Sequence, residues 1–318
     1  FLKNLPADWY LVSAHDVASA KPFVVDVRQP DEYAKGFIDG AVNIPLRELA
    51  VSLQALPPTN TNTVVVSDTG HRSALGMAVL QNDPPLARQT GESRFLPLKA
   101  LMGADIITLH VPLSRTGPDA TYHLFDAART GAMKPGSILI NASRGAVVET
   151  AAIRSALLEK HLAGAVLDVW EKEPAINAEL LSSVTIGTAH VAGYSLDGKV
   201  NAVRMIYRAL CGYLNMQPTW AGWDKLPAPA TPNIPLPAQS GRREEILQKA
   251  VGHCYDIELD DRLLREMLAQ PEDRRASYFM KLRTGYRMRR EFFATTVDVP
   301  PGQREIGNAL KALGFCVV

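Results

Sequence analysis

Hydrophobic residues in the middle of the chain form four uninterrupted runs, separated by helix-like segments of about ten residues. The runs occupy residues 104–113, 137–141, 163–169 and 184–186. Strands that are apolar without alternation are typical of a parallel sheet covered by helices on both faces. The pattern therefore predicts an α/β domain whose ligand site lies at the carboxyl ends of the strands.

The pattern changes on either side of this region. Toward the N-terminus, β-branched strands are predicted at 23–28 and 63–66, and the second runs into a small-residue loop suited to binding an anion. Toward the C-terminus, one long amphipathic helix over 193–216 precedes a proline-rich stretch, 217–241, that is predicted to be an extended linker. The remainder mixes helix patterns with an apolar end, which predicts a small α+β unit.

Composition narrows the class of protein. The 318 residues carry 34 basic and 33 acidic side chains, and 47% are hydrophobic, a balance typical of a globular protein with two or three domains. A net charge of +1 gives no support to nucleic acid or a membrane surface as partner, and no apolar run reaches the length of a membrane span. Three scattered cysteines predict neither a disulfide framework nor a metal site and favour the cytoplasm.

Arg144, Glu173 and His190 each follow an apolar run. Oxidation of a 2-hydroxy acid needs a base for the hydroxyl proton, a cation for the carboxylate and a nicotinamide cofactor for the hydride. Histidine beside a carboxylate suits the first task, and the planar fork of arginine suits the second. Taken singly, each residue has an ordinary structural explanation. Together, at the strand ends of one predicted sheet, they favour an active site.

Asp83 precedes two prolines, Pro84 and Pro85, after an apolar pair. This combination breaks helix and strand and is typical of a turn or a domain boundary. In a nucleotide-binding βαβ unit, an acidic residue at the end of the second strand instead binds the adenine ribose hydroxyls. Both interpretations of Asp83 remain open on the residues alone.

The N-terminal region contains four short motifs in a fixed order. They are DVR, DEY, GFIDGAVNIP and SDTGHRS. In this order they resemble the rhodanese family over about residues 1–80, which implies an α/β fold and a loop whose cysteine carries a persulfide. Ser67 stands at that cysteine position and Phe37 at a histidine of the family. Because a serine hydroxyl cannot carry a persulfide, we expect a silent module in which Arg72 and the loop amides at most bind an anion.

Three further blocks carry a second resemblance. They are NASRGAVV at 141–148, LDVWEKEP at 167–174 and TAHVAGYSLDGK at 188–199. These blocks resemble the D-isomer-specific 2-hydroxyacid dehydrogenases, an NAD-dependent family with a Rossmann-type domain and no metal. The resemblance implies that Arg144 orients the substrate, His190 exchanges the proton, Glu173 supports the histidine, and Tyr194 lies near the substrate. The implied NAD contacts are Asp83, Val111, Ala142, Ser143, Arg144, Asp168 and Gly193. Valine at 111 replaces a threonine common in the family, so one hydroxyl contact would be lost.

The C-terminal tail narrows the resemblance to one branch of that family. The motifs are VGHCYDIELDD at 251–261, Leu282-Arg283 with Tyr286, and RREF at 289–292. Members of this branch oxidise 4-phospho-D-erythronate with NAD in pyridoxal phosphate biosynthesis and dimerise through a C-terminal domain. Over residues 76–318 the resemblance therefore implies a small phosphorylated hydroxy acid as substrate and a homodimer as assembly.

One family motif is missing. Complete members bind the pyrophosphate of NAD on a Gly-X-Gly-X-X-Gly turn, but no two glycines of this chain lie two positions apart, and the rhodanese-like segment stands in that place. We predict a rhodanese-like domain (1–80), a partial Rossmann-type NAD-binding domain (81–216), a linker (217–241) and a dimerisation domain (242–318). A truncated fusion with impaired dehydrogenase activity is expected. The alternatives are an inactive sulfur-transfer or anion-binding module and a non-catalytic dimerising protein.

Overall fold

The chain is described by a computed structural model over residues 23–26, 33–34, 40–43, 63–66, 80–222, 226–236 and 243–318. It divides into two compact units, Phe1–Ala104 and Asp105–Val318. Ser67 and Arg72, the two candidate residues of the rhodanese-like loop, lie outside the described residues.

The first unit contains a small parallel sheet of three strands in the order β2-β1-β3. The strands are β1 Phe23–Asp26, β2 Val42–Asn43 and β3 Thr63–Val66. Val24 and Asp26 of the central strand are buried, and the Asn43 side-chain amide donates to the Asp26 carbonyl at 3.0 Å. The two β-branched runs predicted as strands are therefore neighbours in one parallel sheet.

Residues after this sheet differ from the prediction. The Asn-Asp-Pro-Pro sequence starts helix α1 (Pro84–Thr90) instead of only breaking structure. Proline is tolerated in the first helical turn because its missing N–H would have no intrahelical partner there. The Asp83 carboxylate caps the helix by accepting the Leu86 N–H at 2.9 Å, which is the common role of aspartate at this position.

The second unit contains the predicted α/β sheet. Its four strands are β4 Ile106–Leu109, β5 Ser137–Asn141, β6 Leu162–Leu167 and β7 Ile186–Gly187. They are parallel and lie side by side in chain order. The helices between them are α2 Ala127–Ala132, α3 Thr150–Leu158 and α4 Ala178–Ser183. Leu139, Ala165, Ile153 and Leu181 are fully buried, so helices and strands share one core, and the predicted parallel α/β organisation is confirmed.

A long helix, α5 (Leu196–Tyr213), follows the last strand of this sheet. The Ser195 hydroxyl caps it by accepting the Gly198 N–H at 2.9 Å, which stabilises a helix start. Several large apolar side chains on this helix are exposed, including Ile206 at 72% and Tyr213 at 84%. Among the described helices, none combines the length and apolar character needed to cross a bilayer.

The C-terminal part is α+β, as predicted. Its helices are α6 Arg243–Cys254, α7 Ile257–Arg265, α8 Glu272–Thr284 and α9 Arg304–Ala312, and its strands are β8 Asn233–Pro235, β9 Thr296–Asp298 and β10 Cys316–Val317. The parallel sheet has the order β10-β9-β8 around a core of Ile234, Val297, Leu310 and Phe315. Strand β8 falls inside the proline-rich stretch predicted as linker. An edge strand accommodates proline because one row of its N–H groups pairs with nothing.

Candidate active site

Polar residues gather at one edge of the four-stranded sheet. Because the strands are parallel, their carboxyl ends meet at the same edge. Asn141 ends β5, Asp168 directly follows β6, and His190 lies three residues after β7. His110 directly follows β4. Ligand sites of open α/β sheets lie at this edge.

The Asp168 carboxylate organises the loop after β7. It is buried and accepts hydrogen bonds from the Thr188 hydroxyl at 2.6 Å, the Val191 N–H at 2.7 Å and the Ala192 N–H at 3.1 Å. Its backbone carbonyl also accepts the His190 N–H at 2.7 Å. Asp168 therefore fixes the backbone of residues 190–192, which carries the candidate histidine.

His190 and Glu173 form the central pair of the site. The imidazole Nδ1 lies 2.7 Å from Glu173 Oε2, and Glu173 Oε1 accepts the Trp170 N–H at 2.8 Å. A carboxylate that contacts Nδ1 favours the tautomer protonated at that atom, in which Nε2 has a lone pair for a substrate hydroxyl. His190 has a φ of 56°, a left-handed conformation that costs a non-glycine residue about 1–3 kcal/mol and is common at active sites.

Arg144 is placed by a local hydrogen-bond network at the end of β5. The Asn141 side-chain oxygen accepts the Ser143 N–H at 3.0 Å and the Ser143 hydroxyl at 2.7 Å, while the Asn141 amide donates to the Arg144 carbonyl at 3.1 Å. Arg144 is an exposed residue, and its guanidinium donates to the Ser143 carbonyl at 2.7 Å. Among the described residues it has no carboxylate partner, so its fork can bind an anion.

Gly145, directly after Arg144, allows the end of β5 to pack closely against the residues that follow β6, including Trp170. A Cβ at Gly145 would lie 1.9 Å from the Trp170 carbonyl oxygen, so only glycine permits this approach of two backbones. The sequence blocks containing Arg144 and Glu173, separate along the chain, therefore pack directly on each other.

A second histidine–glutamate pair lies nearby and was missed by the sequence analysis. His123 Nε2 lies 2.7 Å from Glu171 Oε1, and Glu171 Oε2 accepts the Thr150 N–H at 2.7 Å at the start of α3. Burial opposes ionisation, but the hydrogen bonds from His123 and Thr150 prevail and lower the pKa of Glu171. No local motif marks this pair, because its members are 48 residues apart.

The remaining candidate residues occupy different surroundings. Val111 is half-buried in the loop after β4, Ala142 and Gly193 are exposed, and Tyr194 is half-buried. Asp83 belongs to the first unit. Within the described ranges, no group of three or more His, Cys, Asp or Glu side chains has the geometry of a metal site.

A segment of the C-terminal part, residues 287–291, holds the loop that follows His190. The Leu196 N–H donates to the Arg289 carbonyl at 2.8 Å, and the Glu291 N–H donates to Asp197 Oδ2 at 2.7 Å. Arg290 Nε forms an ion pair of 2.9 Å with the same buried carboxylate. From the sequence alone this segment is a charged stretch that contains a family motif, RREF at 289–292. The structure shows that it braces the start of α5.

Comparison with known proteins identifies the family. A model for the D-isomer specific 2-hydroxyacid dehydrogenase, NAD binding domain, matches residues 70–192, and a rhodanese-like domain model matches residues 10–97. A domain of unknown function (DUF3410) matches residues 225–314. The erythronate-4-phosphate dehydrogenase of Stutzerimonas stutzeri is 36% identical over 318 residues, covering 98% of this chain and 80% of that protein. The chain belongs to the erythronate-4-phosphate dehydrogenase family.

Other family members match over a shorter span. The erythronate-4-phosphate dehydrogenase of Salinibacter ruber is 44% identical over 238 residues, or 71% of this chain, and the chain spans 59% of that relative's length. Among solved structures, an NAD-dependent formate dehydrogenase from Staphylococcus aureus in complex with NAD is 26% identical, with 51% of this chain and 44% of that chain covered and a TM-score of 0.35. The TT0316 protein from Thermus thermophilus is 33% identical, with 39% and 40% covered and a TM-score of 0.33.

Proposed function

We propose that this chain is an NAD-dependent oxidoreductase whose substrate is 4-phospho-D-erythronate, in the pathway to pyridoxal phosphate. The observation that carries the proposal is the 2.7 Å contact between His190 Nδ1 and Glu173, at the carboxyl edge of a parallel sheet. The named relatives are erythronate-4-phosphate dehydrogenases, which supports this substrate over other 2-hydroxy acids.

In this proposal three side chains act on the substrate. Arg144 binds the substrate carboxylate and orients the carbinol carbon. His190 Nε2 accepts the hydroxyl proton, and the Glu173 carboxylate stabilises the resulting imidazolium and holds its orientation. Bound NAD would accept the hydride, and the residues of the second unit suited to hold it are Val111, Ala142, Ser143, Arg144, Asp168 and Gly193.

The cofactor cradle fits NAD only in part. Ala142 and Gly193 are exposed at the sheet edge, where a nicotinamide nucleotide would lie. The chain has no Gly-X-Gly-X-X-Gly turn for the pyrophosphate. We therefore propose weak turnover, limited by affinity for the cofactor and not by the His190 chemistry.

Steady-state oxidation of 4-phospho-D-erythronate, followed by NADH formation, tests the function. His190→Gln removes the base and is expected to lower kcat by about 10²- to 10⁴-fold. The matched control is His253→Gln, because His253 is exposed in α6, far along the chain from the sheet edge, and should leave kcat unchanged. Equal loss in both variants, or none in either, would contradict the assignment.

The match to a rhodanese-like domain supports a second candidate function for the N-terminal region, namely anion binding. Sulfur transfer is not proposed, because Ser67 occupies the nucleophile position. Thiosulfate cleavage by Ser67→Cys but not by the natural chain would show that the loop lacks only its thiol. Cleavage by the natural chain would refute the silent module.

The assembly and location proposed here are a homodimer formed through the C-terminal domain, in the cytoplasm. Exposed apolar side chains in this part of the chain, among them Met288 at 56% and Val318 at 69%, support this assembly. Sedimentation equilibrium of the whole chain tests for the dimer. A monomer at micromolar concentration would contradict the proposal.

A further inference from the structure

Two cationic side chains lie against the ring of Tyr194, four residues after His190. Lys199 Nζ is 4.2 Å from the ring centroid and Arg283 Cζ is 5.8 Å from it. The ring of Tyr286 packs edge-on at 6.1 Å. We call Tyr194, Lys199, Arg283 and Tyr286 the Tyr194 cluster.

The positive charge of this cluster is not balanced. Arg265, Arg287 and Arg290, from the same C-terminal part of the chain, pair with Asp261, Asp260 and Asp197, respectively. By contrast, over the residues that the structure describes, no carboxylate lies within ion-pairing distance of Lys199 or Arg283.

Two hydrogen-bond donors of the cluster also lack acceptors. Arg283 Nε is buried and has no hydrogen-bond partner within the described ranges. A buried guanidinium donor calls for an acceptor, and a bound anion would supply one. Among the described residues the Tyr194 hydroxyl also has no acceptor, whereas the Tyr286 hydroxyl donates to Asp260 at 2.8 Å. Burial and that bond raise the pKa of Tyr286 to about 12, so Tyr286 stays neutral and its hydroxyl proton remains bonded to Asp260.

The cluster is built from two elements that are distant in sequence. Lys199 lies in the first turn of α5, whose start is tied to residues 287–291 by the Arg290–Asp197 pair and the Leu196 N–H. Arg283 lies in the last turn of α8. The two cations therefore keep a fixed relation to each other and to the loop carrying His190.

We propose that the Tyr194 cluster binds the phosphate group of the phosphorylated hydroxy acid, an inference that rests on the proposed dehydrogenase function. A phosphate dianion offers three acceptor oxygens and matches two cations and a hydroxyl donor. Arg144 would hold the carboxylate at one end of the substrate while Lys199, Arg283 and the Tyr194 hydroxyl hold the phosphate at the other. Two anchored ends fix the carbinol carbon near His190.

The test compares 4-phospho-D-erythronate with unphosphorylated D-erythronate in the whole chain. Lys199→Gln and Arg283→Gln are each expected to raise the KM for the phosphorylated acid about 10- to 100-fold, the value of one charge-assisted contact. The KM for D-erythronate and kcat should change little. Lys199→Arg should recover most of the loss. The matched control is Arg208→Gln, an exposed cation farther along the same helix, which should change neither KM.

Direct binding separates failure of the cluster from failure of the dehydrogenase assignment. Each variant is titrated calorimetrically with 4-phospho-D-erythronate without NAD, and thermal unfolding checks that it is folded. If the natural chain binds the phosphorylated acid and Lys199→Gln does not, the cluster stands even if no NADH forms. If the natural chain binds no phosphorylated acid, or Lys199→Gln binds it equally well, the proposal is overturned. If Arg283→Gln does not fold, the binding measured for Lys199→Gln decides the proposal, because Lys199 is exposed and its substitution should not affect folding.

Discussion

At the residue scale, the two oxygens of Glu173 have separate partners. One contacts the His190 imidazole and the other accepts the Trp170 N–H. Glu173→Gln keeps an acceptor for the backbone but removes the charge that stabilises the imidazolium. We expect kcat for 4-phospho-D-erythronate to fall about 10²- to 10⁴-fold with little change in KM. A pure KM effect in steady-state assays would instead assign Glu173 to substrate binding.

Glu171 provides the matched contrast, because it also pairs with a histidine but lies at the start of α3. Its lowered pKa means that its ionised form stabilises the fold above the ordinary value of 4.5, and that this stability is lost as the pH falls through the lower folded-state pKa. Glu171→Gln is expected to cost about 1–3 kcal/mol at neutral pH and to flatten the fall in stability below about pH 5. Urea unfolding at several pH values measures both. An unchanged pH profile would contradict the assignment.

Gly145 makes a backbone contact that no other residue permits. Gly145→Ala would place a Cβ 1.9 Å from the Trp170 carbonyl and should destabilise the chain by about 1–3 kcal/mol. Gly131→Ala is the control, because Gly131 lies in α2, where an added Cβ would meet nothing within 4 Å, and the variant should gain about 0.5–1 kcal/mol from helix propensity. Thermal unfolding distinguishes them, and shifts of the same sign would argue against the packing described.

At the element scale, residues 287–291 brace the loop between His190 and α5. Asp197 is 1% exposed and accepts from Arg290 and the Glu291 N–H. Asp197→Ala leaves the Arg290 charge without its partner and should cost about 3–5 kcal/mol. Asp273→Ala, at an exposed position in α8, should cost far less. Denaturant unfolding of both variants provides the measurement, and a small loss at Asp197 would show that water replaces its partner.

The sequence predicted elements better than contacts between them. Uninterrupted apolar runs revealed β4–β7, because burial on both faces of a parallel sheet demands them. Strand β8 was not predicted, since the prolines in and around it indicate an extended chain without showing that it pairs. The His190–Glu173 contact followed from two strand ends. The His123–Glu171 pair and the brace on Asp197 depend on side chains that are 48 and 93 residues apart, and no local period encodes such contacts.

At the scale of the whole molecule, the described NAD-binding region corresponds to part of a dinucleotide fold. The four strands β4–β7 run in chain order, as in the second half of a doubly wound sheet, whereas the phosphate-binding turn belongs to the first half. The rhodanese-like match covers residues 10–97 and overlaps the start of the dehydrogenase match at residue 70. The chain therefore contains the candidate catalytic residues but not the glycine-rich turn that binds the pyrophosphate of NAD.

The missing turn predicts that the chain binds NAD more weakly than relatives that have it. Without the Gly-X-Gly-X-X-Gly turn, we expect the chain to lack backbone and charge-assisted bonds to the pyrophosphate that are worth several kcal/mol, or about two to four decades in the Kd for NAD. We expect calorimetric titration to give a Kd for NAD that is weaker by that factor than for the Salinibacter ruber relative in the same buffer. The Kd for nicotinamide mononucleotide, which has no pyrophosphate, should differ far less between the two proteins. Equal NAD affinity would mean that another segment of the chain supplies the phosphate contacts.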